Sequence, residues 1–365
     1  MRLPRRLGVA VAMALTCLAV ALLAGCGSST GGTDAVAPAP ANPDKPATGT
    51  LRVFTYEDTT APDLMEPFEK QNPDLKVQTA SFGSDEEAAA KLVGGFQADV
   101  VESCLDEMQP LKQQGLLRPV DPAGVPEWEN LAFTDAPGVT EGGKTWVVPL
   151  SAGPQGLIVN TEKVKDVPHS WKALFDPEYA GEVSLEGDYE LPAIAEAALA
   201  MGIEEPMKLT KAQLEEVGAF LDEHHSQFRS LWQADSDLVN LFKSGEVVLS
   251  DGGPGIAARL VEAGVPVEWI APEEGPLSWV CGLSITADSQ NTEAAYRLIN
   301  WQASPRAQAI RAESGYVVTN PKAMPLVPAK WRGIADPQTI KGAIPESRRP
   351  NEAEWVHVFQ EFQAQ

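Results

Sequence analysis

The chain has 365 residues, with 28 basic side chains against 51 acidic ones and a formal net charge of −23. So acidic a surface repels nucleic acid and anionic lipid and draws cations toward itself. The length is that of about two domains, each large enough for a hydrophobic core, and the four cysteines show no zinc-ligand spacing.

The first elements in chain order form an export leader. Arg2, Arg5 and Arg6 precede an apolar stretch over residues 7–23, too short and too near a cleavage site for a stop-transfer helix. Residues 27–50 are rich in Gly, Ser, Thr, Ala and Pro and predict a spacer, flexible at first and semi-extended at Ala37-Pro38-Ala39-Pro40. The body then runs from about residue 50 to 365, with no internal repeat.

Strand-like and helix-like segments alternate through the body, which predicts an α/β class. A strand over 51–56 leads to a helix capped by Thr60 and carrying Leu64, Met65 and Phe68, with Pro67 in conflict. A second strand covers 75–80. Ser84 and Glu87 form a capping box for a helix over 85–93. A short buried strand at 99–103 precedes a helix over 105–114, closed by Gly115. Two separate strands are expected at 146–149 and 157–160, with crossings between the two halves of the body near Leu150 and Trp279. Ser170 caps a short helix, Thr210 a long amphipathic one, and Gly245 ends a helix through Leu238 and Phe242. A strand at 246–249 runs into Asp251-Gly252-Gly253-Pro254-Gly255 and a helix over 256–263. A strand over 279–286, helices over 294–302 and 305–313, a Pro-rich tail and a last helix near 352–363 complete the chain.

The pattern offers little to an enzyme. There is no Gly-x-Ser-x-Gly elbow, no His-Glu-x-x-His and no triad pattern among the four histidines. Gly252-Gly253-Pro254-Gly255 precedes a helix and suits an anion, but fits no nucleotide fingerprint. His224-His225 is read as a solvated pair rather than a metal site. A ferric site would want adjacent tyrosines, and Tyr316 stands alone. No catalytic residue, cofactor or metal is assigned.

Two resemblances are specific. Leu23-Ala24-Gly25-Cys26 resembles the lipobox of bacterial lipoproteins, which implies cleavage before Cys26 and a lipid anchor on its sulfur. The body resembles the spermidine/putrescine-type periplasmic binding proteins of ABC importers. Four segments in order carry that likeness: residues 51–58; residues 98–104 with 115–121; Ser170-Trp171-Lys172-Ala173-Leu174-Phe175-Asp176-Pro177-Glu178-Tyr179-Ala180-Gly181, the most specific; and residues 279–285 followed by Gly315-Tyr316 and Asn320-Pro321.

The resemblance implies a two-lobed type II periplasmic-binding-protein fold with the ligand in the cleft between lobes. Residues 1–25 become the leader, 26–49 the linker, 50–151 with 277–325 lobe 1, and 152–276 with 326–365 lobe 2. It implies capture of a small cation, most naturally a polyamine, by a monomer that docks to permease subunits at the outer face of the cell membrane. Another cation, an amino-acid-like ligand, or a sensing lipoprotein uncoupled from transport remain alternatives. Carried over by position, the ligand-binding residues are Tyr56, Asp58, Ser103, Asp188, Asp251, Trp279 and Tyr316, aromatic faces and carboxylates being what alkylammonium groups need. Three positions depart from the family: Cys281 stands for an acid, Leu105 for an aromatic, and Gly252-Gly253 for a stretch holding a Trp. Glu190 joins Asp58, Asp188 and Asp251 as a substitute source of charge. Arg348 or Arg349 would suit a ligand carboxylate if its loop reached the cleft. Cys104 and Cys281 fall beside the cleft, where a disulfide across it would lock the lobes, so free thiols are expected.

Overall fold

A computed structural model describes residues 35–43 and 45–365; Cys26 and the leader lie outside the described residues. The strands that build the body are β1 (Gly49–Thr55), β2 (Leu75–Ser81), β3 (Val100–Cys104), β4 (Val148–Asn160), β5 (Val183–Glu186), β6 (Phe228–Trp232), β7 (Leu249–Gly252), β8 (Val267–Ile270) and β9 (Leu277–Thr286). They follow one another across the sheet as β2-β1-β3-β9-β4-β7-β5-β6, with β8 also on β4.

Two parallel sets flank a central antiparallel pair. β1 is parallel to β2 and β3, β5 is parallel to β6 and β7, and β9 runs antiparallel to both β3 and β4. Parallel neighbours need crossover connections, and helices supply them. These are α1 (Pro62–Gln71) and α2 (Asp85–Val93) on one side, with α4 (Glu190–Ala200), α5 (Lys211–Glu223) and α6 (Asp235–Ser244) on the other. The short α3 (Met108–Gln113) follows β3. α7 (Pro254–Glu262) leads to β8, while α8 (Thr292–Ala303) and α9 (Pro305–Ala312) follow β9. The chain ends in α10 (Glu352–Gln363). This is the expected two-lobed α/β fold.

β4 decides how the halves connect. It is one strand of 13 residues, buried throughout, where two strands were expected. Its residues Val148 to Gln155 pair with β9, and from Gly156 onward it pairs with β7 and β8. β4 therefore changes partners at Gln155–Gly156, a little beyond Leu150. Pro149 and Pro154 suggested breaks because proline has no N–H to give a ladder. Pro149 sits instead at a register shift opposite Gly282, so the strand passes through.

Most helices lie where the patterns put them, with start points moved by local chemistry. α2 keeps its predicted bounds, and Ser84 accepts from Glu87 N–H while Glu87 accepts from Gly83 N–H. Thr60 does not cap α1, which begins at Pro62 after a 3₁₀ turn over Asp58–Thr60 and contains Pro67. α3 begins later than predicted because Asp106 and Glu107 turn inward to a buried arginine. Thr210 and Gln213 form a reciprocal capping box. His224 and His225 are half-buried rather than solvated; His224 lies 4.2 Å from the Phe220 ring and its Nδ1 is 2.8 Å from the Phe220 carbonyl.

The described part of the expected spacer lies on the body. Ala37 is fully buried, its N–H donating to Pro119 and its carbonyl accepting from Tyr296 Oη. Arg297 donates to the Pro43 carbonyl, and Ala47 is buried. Small residues allow this because they let backbone approach backbone.

Gly282 is required by the central pair. A Cβ there would stand 2.1 Å from the Val148 carbonyl oxygen and 2.8 Å from Val147 Cγ2. Gly282→Ala should lower stability by about 1–3 kcal/mol in urea denaturation; an unchanged midpoint would mean that β4 and β9 can part at no cost.

Candidate functional site

The cleft is built where β3, β4 and β9 of one half face β5, the start of α4 and the 344–349 segment of the other. Its inner cavity holds about 300 Å³ and opens into a mouth of about 910 Å³. Among the described residues, nine of the side chains lining the inner cavity are carboxylates, and Arg311 is its only cation. Tyr56, Tyr189, Trp279 and Tyr316 supply the aromatic surface.

Five of the seven expected residues meet there: Tyr56, Asp58, Asp188, Trp279 and Tyr316. The Trp279 and Tyr316 rings meet edge to face, with centroids 5.3 Å apart. Ser103 does not line the cavity and is fully buried. Strand alternation explains this, since on β3 it is Glu102 and Cys104 that face the cavity. Asp251 also lies behind the wall, fully buried, where it accepts from Trp232 Nε1 at 2.8 Å and from Glu186 N–H at 2.9 Å. It positions Glu186 rather than facing the cavity. Glu190 and Arg349 likewise miss the cavity. Arg349, 2 % exposed, binds Glu190 at 2.8 Å, Asp106 at 3.2 Å and Glu107 at 2.5 Å, with Glu352 at 3.6 Å. With its fork engaged by carboxylates, it is not offered to a ligand carboxylate.

Cys104 and Cys281 form a disulfide, against the expectation of free thiols. The bond does not span the cleft. β3 and β9 are neighbours, and the two cysteines are opposed in register. Both cysteines fall in the segments assigned to lobe 1, so a bond between them locks no lobe against the other. The cystine forms part of the cavity wall, so Cys281, in place of the expected acid, offers the cavity no charge.

Other acids line the wall in its place. Glu346 follows the short strand Ile344–Pro345, which pairs with Leu277 and Ser278 and so sets Glu346 beside Trp279. It is 7 % exposed, accepts from Tyr189 Oη at 3.1 Å through Oε2, and has no hydrogen-bond partner on Oε1. Glu102 keeps an unpartnered Oε2, and Glu186 accepts from Gln155 Nε2 at 2.6 Å. Glu102 carried a usable sequence signal, being an acid inside a short strand read as buried, whereas the strand that holds Glu186 was not expected. Glu346, Arg311 and Tyr189 carried none, because they reach the site from loops and helix ends. Near the absent family Trp, Trp232 lines the mouth and the Trp269 indole donates to the Gly252 carbonyl at 2.9 Å.

Burial controls the charge of these groups. It pushes Glu102 up to about 7, partly offset by Arg311. It pushes Asp188 and Asp251 up to about 6 each. Glu346 rises to about 8, through burial and then the charge of Asp106. Glu186 and Glu196 are raised well above the usual carboxylate range, again chiefly by burial. Such a site gains from any cation that enters it.

The motif most specific to the family resemblance lies away from the cavity. Trp171 is fully buried and donates to the Gly275 carbonyl at 3.0 Å, while its N–H reaches Glu274 at 3.2 Å. Its role is to tie the 272–275 turn to the core.

Residues 63–338 match the family described as bacterial extracellular solute-binding protein. Among curated relatives, spermidine/putrescine-binding periplasmic protein 1 of Haemophilus influenzae is 26% identical over 77% of this chain and 78% of its own. The putrescine-binding periplasmic protein PotF of Escherichia coli is 26% identical over 81% and 85%. A putative spermidine/putrescine ABC transporter structure from Listeria monocytogenes superposes with a TM-score of 0.76 at 23% identity, over 87% of this chain and 99% of that one.

Two outcomes follow from the geometry. The raised carboxyls make the folded chain hold more protons than the unfolded one between about pH 4 and pH 8. Stability of the ligand-free protein should therefore fall as pH rises through that window. Melting temperatures at pH 5, 6.5 and 8 test the sign, and Glu346→Gln should flatten the upper part of the curve. For the disulfide, which joins residues 177 apart, reduction or Cys104→Ser with Cys281→Ser should cost about 2–4 kcal/mol, several degrees of melting temperature. A reductant-insensitive melt would show that the bond does not form.

Proposed function

The chain belongs to the family of bacterial extracellular solute-binding proteins, and from that premise we propose that it captures a polyamine-type cation for an ABC importer. The observation that carries this reading is the cavity wall, where nine carboxylates and four aromatic rings surround a single guanidinium. An alkylammonium needs that combination: charge-assisted hydrogen bonds worth about 1.5–3 kcal/mol each and ring faces worth about 0.5–2 kcal/mol. The named relatives that bind putrescine or spermidine support it.

In this reading Trp279 and Tyr316 hold the methylene chain, and Glu346, Asp188 and Glu186 receive an ammonium. Asp251 acts from behind by fixing Glu186. The ligand selects the closed form, the lobes hinging about the two central strands β4 and β9, and the closed protein docks to the permease. Capture needs no covalent step. We place lobe 1 at 50–151 with 277–325 and lobe 2 at 152–276 with 326–365, so that β4 changes partners, at Gln155–Gly156, just past the first boundary. Cleavage before Cys26 and lipidation of its thiol would anchor a monomer at the outer face of the membrane. The cystine in the body suits such an oxidising compartment.

The test is thermal melting against putrescine, spermidine, spermine, agmatine, γ-aminobutyrate and choline. An amine at about 1,000 times its dissociation constant adds about 4 kcal/mol, a shift of several degrees. Trp279→Ala should weaken binding about tenfold. If no amine shifts the melt, the polyamine assignment is wrong.

A further inference from the structure

Arg311 is the one cation on the cavity wall among the described residues, and its surroundings are those a ligand ammonium would receive. It lies in the last turn of α9 and is 3 % exposed. Its guanidinium carbon stands 5.6 Å from the centre of the Tyr316 ring. Nη1 lies 4.0 Å from Asp58 Oδ2, and Nη2 donates to Thr59 Oγ1 at 2.9 Å. Among the described residues Nε has no hydrogen-bond partner, and neither does Oε2 of neighbouring Glu102. The charge of Arg311 acts on Glu102, and Asp58 acts on it in the opposite sense. An aromatic face with two carboxylates around a cation is ammonium-recognition chemistry. Here the cation belongs to the protein.

Among the described residues the second group of acids has no cation in salt-bridge contact, and the charge of Arg349 reaches Glu346 only from behind the wall. Glu186, Asp188 and Glu346 interact with one another, and Glu346 Oε1 is buried and unpartnered. The other buried arginine, Arg349, is engaged by Asp106, Glu107 and Glu190 behind the wall. One carboxylate group therefore awaits a cation, and the other already holds one.

We propose that the Arg311 guanidinium permanently fills one ammonium position of the cavity, so that the site selects a short diamine over a triamine. This deepens the polyamine reading and rests on it. A further ammonium near Tyr316 would meet a fixed like charge in a partly desolvated site, a repulsive device that discriminates by what it excludes. Discrimination by length then follows from charge count rather than from cavity volume.

The experiment is titration calorimetry of the wild-type protein, Arg311→Met and Arg311→Lys with putrescine, cadaverine, spermidine and γ-aminobutyrate. The wild type should bind a diamine at least tenfold tighter than spermidine. Arg311→Met, which keeps the bulk and removes the charge, should shift that ratio at least tenfold toward spermidine, and Arg311→Lys should leave it in place. If Arg311→Met does not fold, the wild-type and Arg311→Lys ratios still decide. Wild-type preference for spermidine, or an unchanged ratio in a folded Arg311→Met, overturns the proposal while leaving the polyamine reading standing. γ-Aminobutyrate binding tighter than the diamines and lost in Arg311→Met overturns it too, by making Arg311 a carboxylate anchor. Absence of binding by every amine overturns both.

Discussion

Carboxylates gathered in a buried cleft must take up a proton, share one, or find a cation, and much of this protein is arranged around that constraint. Glu196 sits in a helix whose eleven residues are all buried, and burial raises it well above the usual carboxylate range. Gln155 stands at the point where β4 changes partners and donates through one amide to Glu186 at 2.6 Å and Glu196 at 3.3 Å. Arg349 draws Asp106 and Glu107 from the turn before α3 toward Glu190 at the start of α4. The same buried charge that would attract a ligand thus also sets where helices begin and how the two halves meet.

The fold was largely legible because its signals are local. Capping residues placed α2 and α5, and hydrophobic periodicity placed α6 and α10. The signals failed where a distant partner decides the outcome. Pro149 and Pro154 looked like strand ends, yet β9 carries β4 through them. Residues 105–107 looked helical, yet their acids answer to an arginine more than two hundred residues away. β6, with apolar residues at Phe228, Leu231 and Trp232, has no clean alternation and was missed.

The site was legible in part for the same reason. Tyr56, Asp58, Asp188, Trp279 and Tyr316 sit at positions fixed by sequence motifs near strand ends, and the structure brings them together. Ser103 was displaced by the side-chain alternation of its own strand, and Asp251 by a layer of Glu186 in front of it. Glu346 and Arg311 come from a loop and a helix end whose approach no local pattern encodes. The segment that best marks the family, around Trp171, does packing rather than recognition.

The disulfide changes the topology of the chain. By joining β3 to β9 it closes a covalent ring that contains β4 through β8 and the helices between them. Everything from residue 105 to 280 becomes a loop hung from a stapled base. A protease cut anywhere in that excursion leaves one covalent molecule, and partial melting of the excursion cannot pull β3 from β9. The staple thus sits in the cavity wall itself, so the floor of the cleft is held where β3 and β9 meet.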